Sequence, residues 1–469
     1  MESLELVGHW WLPASPQKTI TGTLKFDPVN GGSLDLLGSF QDFPEFGKAF
    51  DVDIILGFVD GKRITLFRCY AKGSNMNLTA GSPVSIKSSF IVGMVFIGYH
   101  FEKKEDIVFK TLSVSYSYLE DWTQITGFQF SLQSDKEHHL NQCEVKYKFP
   151  DKLEANIEGA RLSLDYSFHN GGDKLREFKL TQTTFLKIEP TIACHIEEYF
   201  TSYLYHAQNF ISLGVGRAVY PLIMKGKNEN CKIDLGEGRT EYSDIEIYYK
   251  TKEFQEPSKK IHPSDMLFFL GDIKDDLEKY LNNWFKKAEL IQPVYDLYFA
   301  TLYSPKMYLQ HEFLSLIQAL EVYHRRVHGG KYLSDDDFKD VYEKLVNAIP
   351  GDAEADFKAS LAGKMKYLHE YSLRKRLKKI TDDFKNIIGI LIKDISSFME
   401  SIEDTRNYLT HYDTSLEDKK KDRRELYALI EQMKFLLEMC FLSEMGMTEN
   451  KIRQLAQRNQ RYRFLARNA

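Results

Sequence analysis

Cysteine is scarce in this chain of 469 residues, and the five that occur, Cys69, Cys143, Cys194, Cys231 and Cys440, form no Cys-Xaa-Xaa-Cys pair. An odd, dispersed set argues against a disulfide framework and against a structural zinc, and points to a reducing cytoplasm. Long apolar runs are missing too: nowhere do about 18 apolar residues follow one another, so no membrane span is expected. Residues 1–11 lack a basic segment followed by an apolar stretch, so no signal peptide is expected. Charge of one sign is also lacking. A formal net charge of -5 does not announce nucleic-acid binding by the molecule as a whole, and local charge must carry any such argument. Internal repeats and low-complexity tracts are absent, which removes solenoids and disordered arrays.

What is present reads as a globular, soluble chain of two or three domains. At 54.6 kDa it exceeds one ordinary core, and 43% hydrophobic with 28% charged residues is the composition of a folded protein. Up to about residue 190, short runs rich in β-branched and aromatic residues occur at 20–26, 53–59, 63–70, 90–101, 108–118, 127–132, 143–149, 161–168 and 178–188. Turn signals such as Asn30-Gly31-Gly32, Asp60-Gly61 and Asn170-Gly171-Gly172 separate them, a spacing that favours a sandwich or a barrel. A helix over 197–213 and a hairpin-like pair around 231–249 follow, and the polar run 250–260 with Pro257 is the preferred boundary. Beyond 263 the period is helical, with helices expected over 272–287, 305–328, 336–347, 353–370, 382–410 and 419–445; their short connections imply an antiparallel bundle. The expected fold class is α+β multidomain: a β-rich, sandwich-like domain over 1–190, a mixed α/β extension and linker over 191–262, and an all-α bundle with a basic C-terminal tail over 263–469.

Arg406-Asn407-Tyr408-Leu409-Thr410-His411 carries the most chemistry. Running back from it, Ile388, Leu391, Ile395, Met399 and Ile402 recur at three- and four-residue steps, the apolar stripe of a packed helix. Arg406 continues that stripe, only about 20 to 40° around an ideal helix from Met399 and Ile402. Its guanidinium is therefore expected to face a core, a subunit interface or a cleft, and to find a partner there. Asn407 and His411, four apart, share a face on which the amide can hold one imidazole nitrogen while the other works. Arg406 and His411 lie about 140° apart, so one straight helix cannot aim both at one phosphate. Either the helix breaks near Leu409, or two copies of the segment meet in a two-fold dimer and build composite sites.

These residue types suit metal-free cleavage of RNA, whose own 2′-hydroxyl attacks the adjacent phosphate. A histidine can take or return a proton while a cation stabilises the charge building on the phosphorus oxygens. His411 is the candidate acid/base and Arg406, with its planar fork of donors, the phosphate clamp; Asn407 orients the imidazole or bonds to the phosphate. No metal or cofactor is expected. The competing reading has Arg406 pairing within the bundle and His411 on the surface beyond a fraying helix end.

Arg-Asn-Xaa-Xaa-Xaa-His late in a helical half resembles the signature of HEPN ribonucleases (higher eukaryotes and prokaryotes nucleotide-binding domains). Further features resemble the ApeA family of bacterial phage-defence proteins: Gly8-His9-Trp10-Trp11-Leu12-Pro13 with Gly22-Thr23-Leu24, a helix over 313–328 carrying Ala319-Leu320-Glu321, and Leu373-Arg374-Lys375-Arg376-Leu377. The resemblance spans most of the chain. It implies a C-terminal HEPN bundle and abortive phage defence by RNA cleavage; transfer RNA is a reasonable target to try, and the helix geometry adds a homodimer or higher homo-oligomer. It also implies an acidic residue on an earlier helix bracing the arginine, a place Glu321 can fill; pairing of Glu321 with Arg325 is the alternative.

Two basic runs flank the motif. Arg374-Lys375-Arg376-Leu377-Lys378-Lys379 precedes its helix and Lys419-Lys420-Lys421-Asp422-Arg423-Arg424 opens the next, each with five cations in six positions. Arg374, Arg376, Lys419, Lys420, Lys421, Arg423 and Arg424 are the RNA-binding candidates, against a solvated helix surface. The tail from Lys451 adds Arg453, Arg458, Arg461, Arg463 and Arg467 with Tyr462 and Phe464 among them, suited to RNA or to an acidic face of another subunit. Trp10-Trp11 is either a stacking platform or a buried strand. Gly214-Val215-Gly216 reads as a turn, and His138-His139 with Cys143 lacks a fourth metal ligand.

Together these readings predict a cytoplasmic, metal-independent endoribonuclease whose β-rich half senses or restrains, answering an unknown phage-derived or nucleotide trigger. The alternative is a non-catalytic binding or scaffold protein that recognises a ligand or phage protein through the β-rich half and dimerises through the bundle.

Overall fold

The structure, a computed structural model, describes the chain except residues 43–49, 78–84, 174, 235, 237–239, 252–259, 413 and 469. Most of the expected boundary at 250–260 lies outside the described residues. The chain divides into two compact units: Met1–Val215, Val219–Pro263 and Phe268–Glu278 form one, and Gly216–Ala218, Ser264–Leu267 and Lys279–Ala469 the other.

Alternation dictates the first unit. In β2 (Ser15–Asp27), Ile20, Gly22, Leu24 and Phe26 turn inward while their neighbours face out, the period of two that a half-buried strand requires. β2 pairs antiparallel with β1 (Leu4–Leu12) and β3 (Gly31–Leu36); β1 continues to β4 (Val52–Val59), β4 to β5 (Lys62–Asn77), and β5 to β6 (Ser85–Ile97). Because β6 also pairs with β3, these six strands close into a barrel. Trp10, Leu24, Leu34, Ile55, Leu66 and Val95 are among its buried core. Trp10 is inside the barrel, its indole N–H donating to the Gly22 carbonyl at 3.0 Å, and a Cβ at Gly57 would lie 2.3 Å from its ring. Trp11 meets the edge of His100 instead. Burial of the first strand, not a stacking platform, is therefore the role of Trp10. Of the two architectures that the strand spacing allowed, the chain takes the barrel.

β6 is also where the barrel opens out. Its residues Ser88 to Val92 pair with β3, but Met94 to Ile97 pair with Thr240–Tyr249. From there the same sheet continues through Pro221–Asp234, Thr111–Tyr116, Lys179–Pro190 and Ala160–Gly171 to Leu153–Ile157, a six-stranded wing. The sheet thus runs across residue 190, with strands from 221–249 between the barrel and the rest of the wing.

The second unit is helical, as its period predicts. Leu277–Leu302 kinks at Ile291, two residues before Pro293, whose missing N–H breaks the ladder. Beyond the kink, Tyr295, Tyr298 and Phe299 pack with Trp284 and Phe441 into an aromatic core. Leu309–His328 packs on Arg423–Glu444, and Ile395–His411 packs on both and on Leu373–Asp383. The single helix expected over 382–410 is in fact interrupted. Lys385–Ile388 is a short turn, and a new helix begins at Ile395, capped by the Asp394 carboxylate, which accepts from the Ser397 N–H at 3.0 Å. Ile388 and Leu391 are buried as their periodicity implies, yet they precede this helix. Among the described residues no helix is long and apolar enough to cross a membrane.

Candidate active site

Ile395–His411 is the motif helix, and its buried line is Phe398, Met399, Ile402, Thr405 and Leu409. The stripe therefore runs from Ile402 into Thr405 and Leu409, and Arg406 stands beside it, half-buried; of the core, subunit interface or cleft expected to receive its guanidinium, the core of its own chain does not. The helix does not break near Leu409. It runs through His411 and stops where Tyr412 turns left-handed at φ 47° and ψ 37°, its N–H closing on the Tyr408 carbonyl at 2.7 Å. An unbroken helix keeps Arg406 and His411 about 140° apart, as ideal geometry requires.

Asn407 and His411 are exposed. The Arg406 guanidinium donates to the Asn407 side-chain oxygen at 3.4 Å, and the Thr410 hydroxyl donates to the Arg406 carbonyl at 2.7 Å. The amide thus faces the arginine and not the imidazole; among the described residues the His411 ring has no hydrogen-bond partner. The carbonyl end of a helix repels phosphate, so an anion here depends on side-chain cations.

Those cations are unequally available. The Lys419 ammonium pairs with Asp404 of the motif helix at 2.9 Å, and Arg374 pairs with Glu403 at 2.8 Å. Lys421 lies 3.9 Å from Glu425. The following helix starts at Arg423, later than expected, because the Asp422 carboxylate caps it by accepting from the N–H groups of Arg424 and Glu425. Lys420, Arg423 and Arg424 are exposed, and among the described residues their side chains have no ion pair. Glu403 and Asp404 escaped the sequence reading, although two carboxylates just upstream of the motif, separated from Arg406 by Thr405, were a visible signal for its basic neighbours.

Arg376 is not on the surface. It is 2% exposed, and its Nε donates to the Tyr371 carbonyl at 3.1 Å. Nη1 donates to the Gly329 carbonyl at 3.2 Å and to His324 Nδ1 at 3.3 Å; Nη2 reaches the Gly330 carbonyl and Glu370, each at 3.4 Å. Gly330, at φ 119°, must be glycine-like here, since a Cβ would lie 2.5 Å from Nη1. A guanidinium caged in this way has no fork left for a phosphate. The signal for it was legible: Leu373, Arg376, Leu377 and Ile380 share one helical face. Arginine can only donate, so His324 Nδ1 accepts and its proton sits on Nε2, which is buried without a partner. Burial, together with His328, Arg376 and Lys379, pulls the His324 imidazole down to about 4.

Glu321 is half-buried and contributes charge to the Arg376 cage. Among the described residues it pairs with neither Arg406 nor Arg325; Arg325 pairs with Glu370 at 3.1 Å. The basic tail also departs from its expected course. It folds into Glu449–Arg458 and Gln460–Asn468, where Arg461 bonds to Glu431 at 2.7 Å and to Glu438 at 3.0 Å, and the Tyr462 hydroxyl donates to Glu438. Of the two readings of the tail, RNA or an acidic face of another subunit, Arg461 follows neither: its acidic partners are within its own chain.

A barrel-and-wing half followed by a helical half with Arg406, Asn407 and His411 at a helix end agrees with two family models matched in tandem. ApeA N-terminal domain 1 matches residues 5–284, more than half of the chain, and Apea-like HEPN matches residues 314–451. No curated protein and no solved structure matches it. The HEPN match begins within Leu309–His328, includes the whole motif helix, and ends in Glu449–Arg458, so both the order of the halves and the place of the motif coincide with it. The chain belongs to the ApeA family of HEPN nuclease-type antiphage defence proteins.

Proposed function

We propose that the chain is a metal-independent endoribonuclease of abortive phage defence, with Arg406 clamping the scissile phosphate and His411 acting as acid/base. The observation that carries this reading is the end of the motif helix, whose last two turns carry Arg406, bonded to Asn407, and an exposed His411 whose imidazole is unengaged among the described residues. Asn407 orients the guanidinium, and Lys420, Arg423 and Arg424 hold the flanking RNA backbone. Because the helix is straight through His411, one chain offers half a cleft. A second subunit in a two-fold dimer supplies the complementary half. The β-rich unit senses the phage-derived or nucleotide trigger or restrains the helical unit, and transfer RNA is the substrate to try first.

The test is incubation of purified protein with total RNA in excess EDTA, with and without lysate from infected cells as trigger. Wild type is expected to leave 2′,3′-cyclic phosphate and 5′-hydroxyl ends, and Arg406→Ala and His411→Ala to leave RNA intact. Products with 3′-hydroxyl ends, or wild type as inert as both variants under every condition, would overturn the reading.

A further inference from the structure

The ion pairs of the C-terminal tail leave one of its residues unexplained. Arg461 reaches buried carboxylates and Tyr462 is itself buried, but Phe464, on the same helix Gln460–Asn468, stays 67% exposed. Tyr427, on Arg423–Glu444, is 50% exposed. Both residues line one cavity of about 270 Å³ within the helical unit. A single exposed ring is ordinary on a surface, whereas two at the open side of one cavity give it aromatic walls.

The floor of that cavity is charged. Glu431 is 5% exposed; its carboxylate accepts from the Arg461 Nε at 2.7 Å and lies 3.6 Å from the Lys434 ammonium, which also pairs with Glu312. Glu431, Lys434 and Arg461 all line the cavity. The two carboxylates take up two of the three N–H donors of Lys434, so one remains among the described residues. Each Glu431 oxygen keeps a second lone pair. A hydrogen-bond donor and an acceptor therefore stand side by side beneath the two aromatic residues.

We propose that this cavity takes one unpaired base of a bound RNA strand, stacked against Tyr427 and Phe464 with its hydrogen-bonding edge on Lys434 and Glu431. Three features select that occupant. The cavity, at about 270 Å³, falls below the ~300–1,000 Å³ of sites for larger ligands and admits a single flat ring system. An apolar side chain of a protein partner would suit the walls but leave the donor and the acceptor dry and unpaired, whereas every nucleobase carries an acceptor beside a donor on one edge. A cation leads to the opening. Arg423 is exposed and has no ion pair among the described residues, and Tyr427, Glu431 and Lys434 follow it at four, four and three residues, all within about 80° around an ideal helix. A phosphate held by Arg423 thus places its strand one turn from Tyr427. The inference rests on the reading that the helical unit binds RNA, and not on the identity of the catalytic residues. It makes an unpaired strand the substrate class, because the edge of a paired base is already occupied.

The experiment uses the full chain carrying His411→Ala, so that the strand stays intact, and fluorescence anisotropy with a short oligouridine, with its abasic analogue of equal phosphate number, and with a duplex. One stacked base supplies about 5- to 150-fold in affinity, so the abasic strand, the duplex, Tyr427→Ala and Phe464→Ala are each expected to bind roughly five-fold or more weakly. Tyr427→Phe, which keeps the ring, is expected to bind like the parent and Tyr427→Leu like the alanine variant, with folding verified by circular dichroism. The salt dependence stays that of the parent, since no cation is lost. Equal affinity for the abasic and the normal strand, or aromatic variants that bind like the parent, overturns the proposal. So does Tyr427-dependent binding of uridine monophosphate as tight as that of the strand, which makes a free nucleotide the ligand, and so does a change of mass in light scattering in Phe464→Ala, which makes a second copy the occupant. Cleavage of RNA by a wild type whose ring variants bind normally removes the base site and leaves the nuclease; ring-dependent binding by a chain that cleaves nothing removes the nuclease and leaves the base site.

Discussion

Replacing Arg376 by alanine separates a phosphate-binding role from a structural one. In the fold this guanidinium receives both ends of the segment between Leu309–His328 and Leu373–Asp383: Gly329 and Gly330 as the chain leaves the first helix, and Glu370 and Tyr371 as it returns. Removing it strands the Tyr371 and Gly329 carbonyls and empties a cage that excludes water. Each orphaned buried acceptor costs about 1–3 kcal/mol, and deleting one partner of a buried charged pair costs about 3–5 kcal/mol, so a loss of ~3–5 kcal/mol is expected. For a unit of this size that lowers the midpoint of thermal unfolding by roughly 6–20 °C. Arg376→Lys, keeping the charge but not the fork, should recover only part of the loss. Differential scanning calorimetry of the full chain is the assay, with RNA affinity measured well below the transition, where Arg376→Ala should bind nearly as wild type. An unaltered unfolding profile combined with weakened RNA binding and a shallower salt dependence would refute the structural role and return Arg376 to the RNA-contacting surface.

Charge removal is expected to separate the cations. Substituting Lys420, Arg423 and Arg424 together by alanine should flatten the dependence of log affinity for single-stranded RNA on log salt by about 2 units, near 0.7 per lost phosphate contact; Lys419→Ala, which mainly unties Asp404, should change it little. Acidification should weaken the helical unit. The His324 imidazole is held near 4 when folded and returns to its ordinary value when unfolded, so the unfolded chain binds the extra proton. The contribution is complete above pH ~6.5 and declines as the pH falls toward 4; denaturant midpoints across that range should show a shallower decline in His324→Gln, and an identical slope would refute the assignment. Truncation after Gly446 is expected to yield a poorly folded chain and not merely a weaker RNA binder, because it removes Arg461 and Tyr462 from the buried Glu431 and Glu438. A cooperative unfolding transition at the wild-type temperature would disprove that.

Much of the architecture was legible because local rules acted alone. The alternation in β2 and the three- and four-residue steps in Leu309–His328 reflect a single face meeting a single core, so pattern and burial coincide. Barrel closure was not legible. It depends on β6 pairing with β3, β5 and Thr240–Tyr249 at once, and these are contacts between segments far apart in the chain. The candidate site shows the same division. The spacing of Asn407 and His411, and the angle between Arg406 and His411, follow from helix geometry once the helix exists. Where that helix begins does not. Ile388 and Leu391 keep the period of Ile395 and Met399 and are buried like Met399, because a broken chain that folds back onto one core preserves the periodicity of a continuous one.

By itself, then, the sequence determined the two-part order of strands and helices, the position of the motif and the kind of chemistry its residues can perform, all of which depend on residue type and on neighbours within a few positions. Only the tertiary structure decided which cations remain available. Lys419, Arg374, Arg376 and Arg461 look alike in a basic run, yet Asp404, Glu403, the Gly329–Gly330 carbonyls and the Glu431–Glu438 pair claim them. A charge is assigned its partner by distance in space, over a few ångströms, and that distance is not a function of position along the chain.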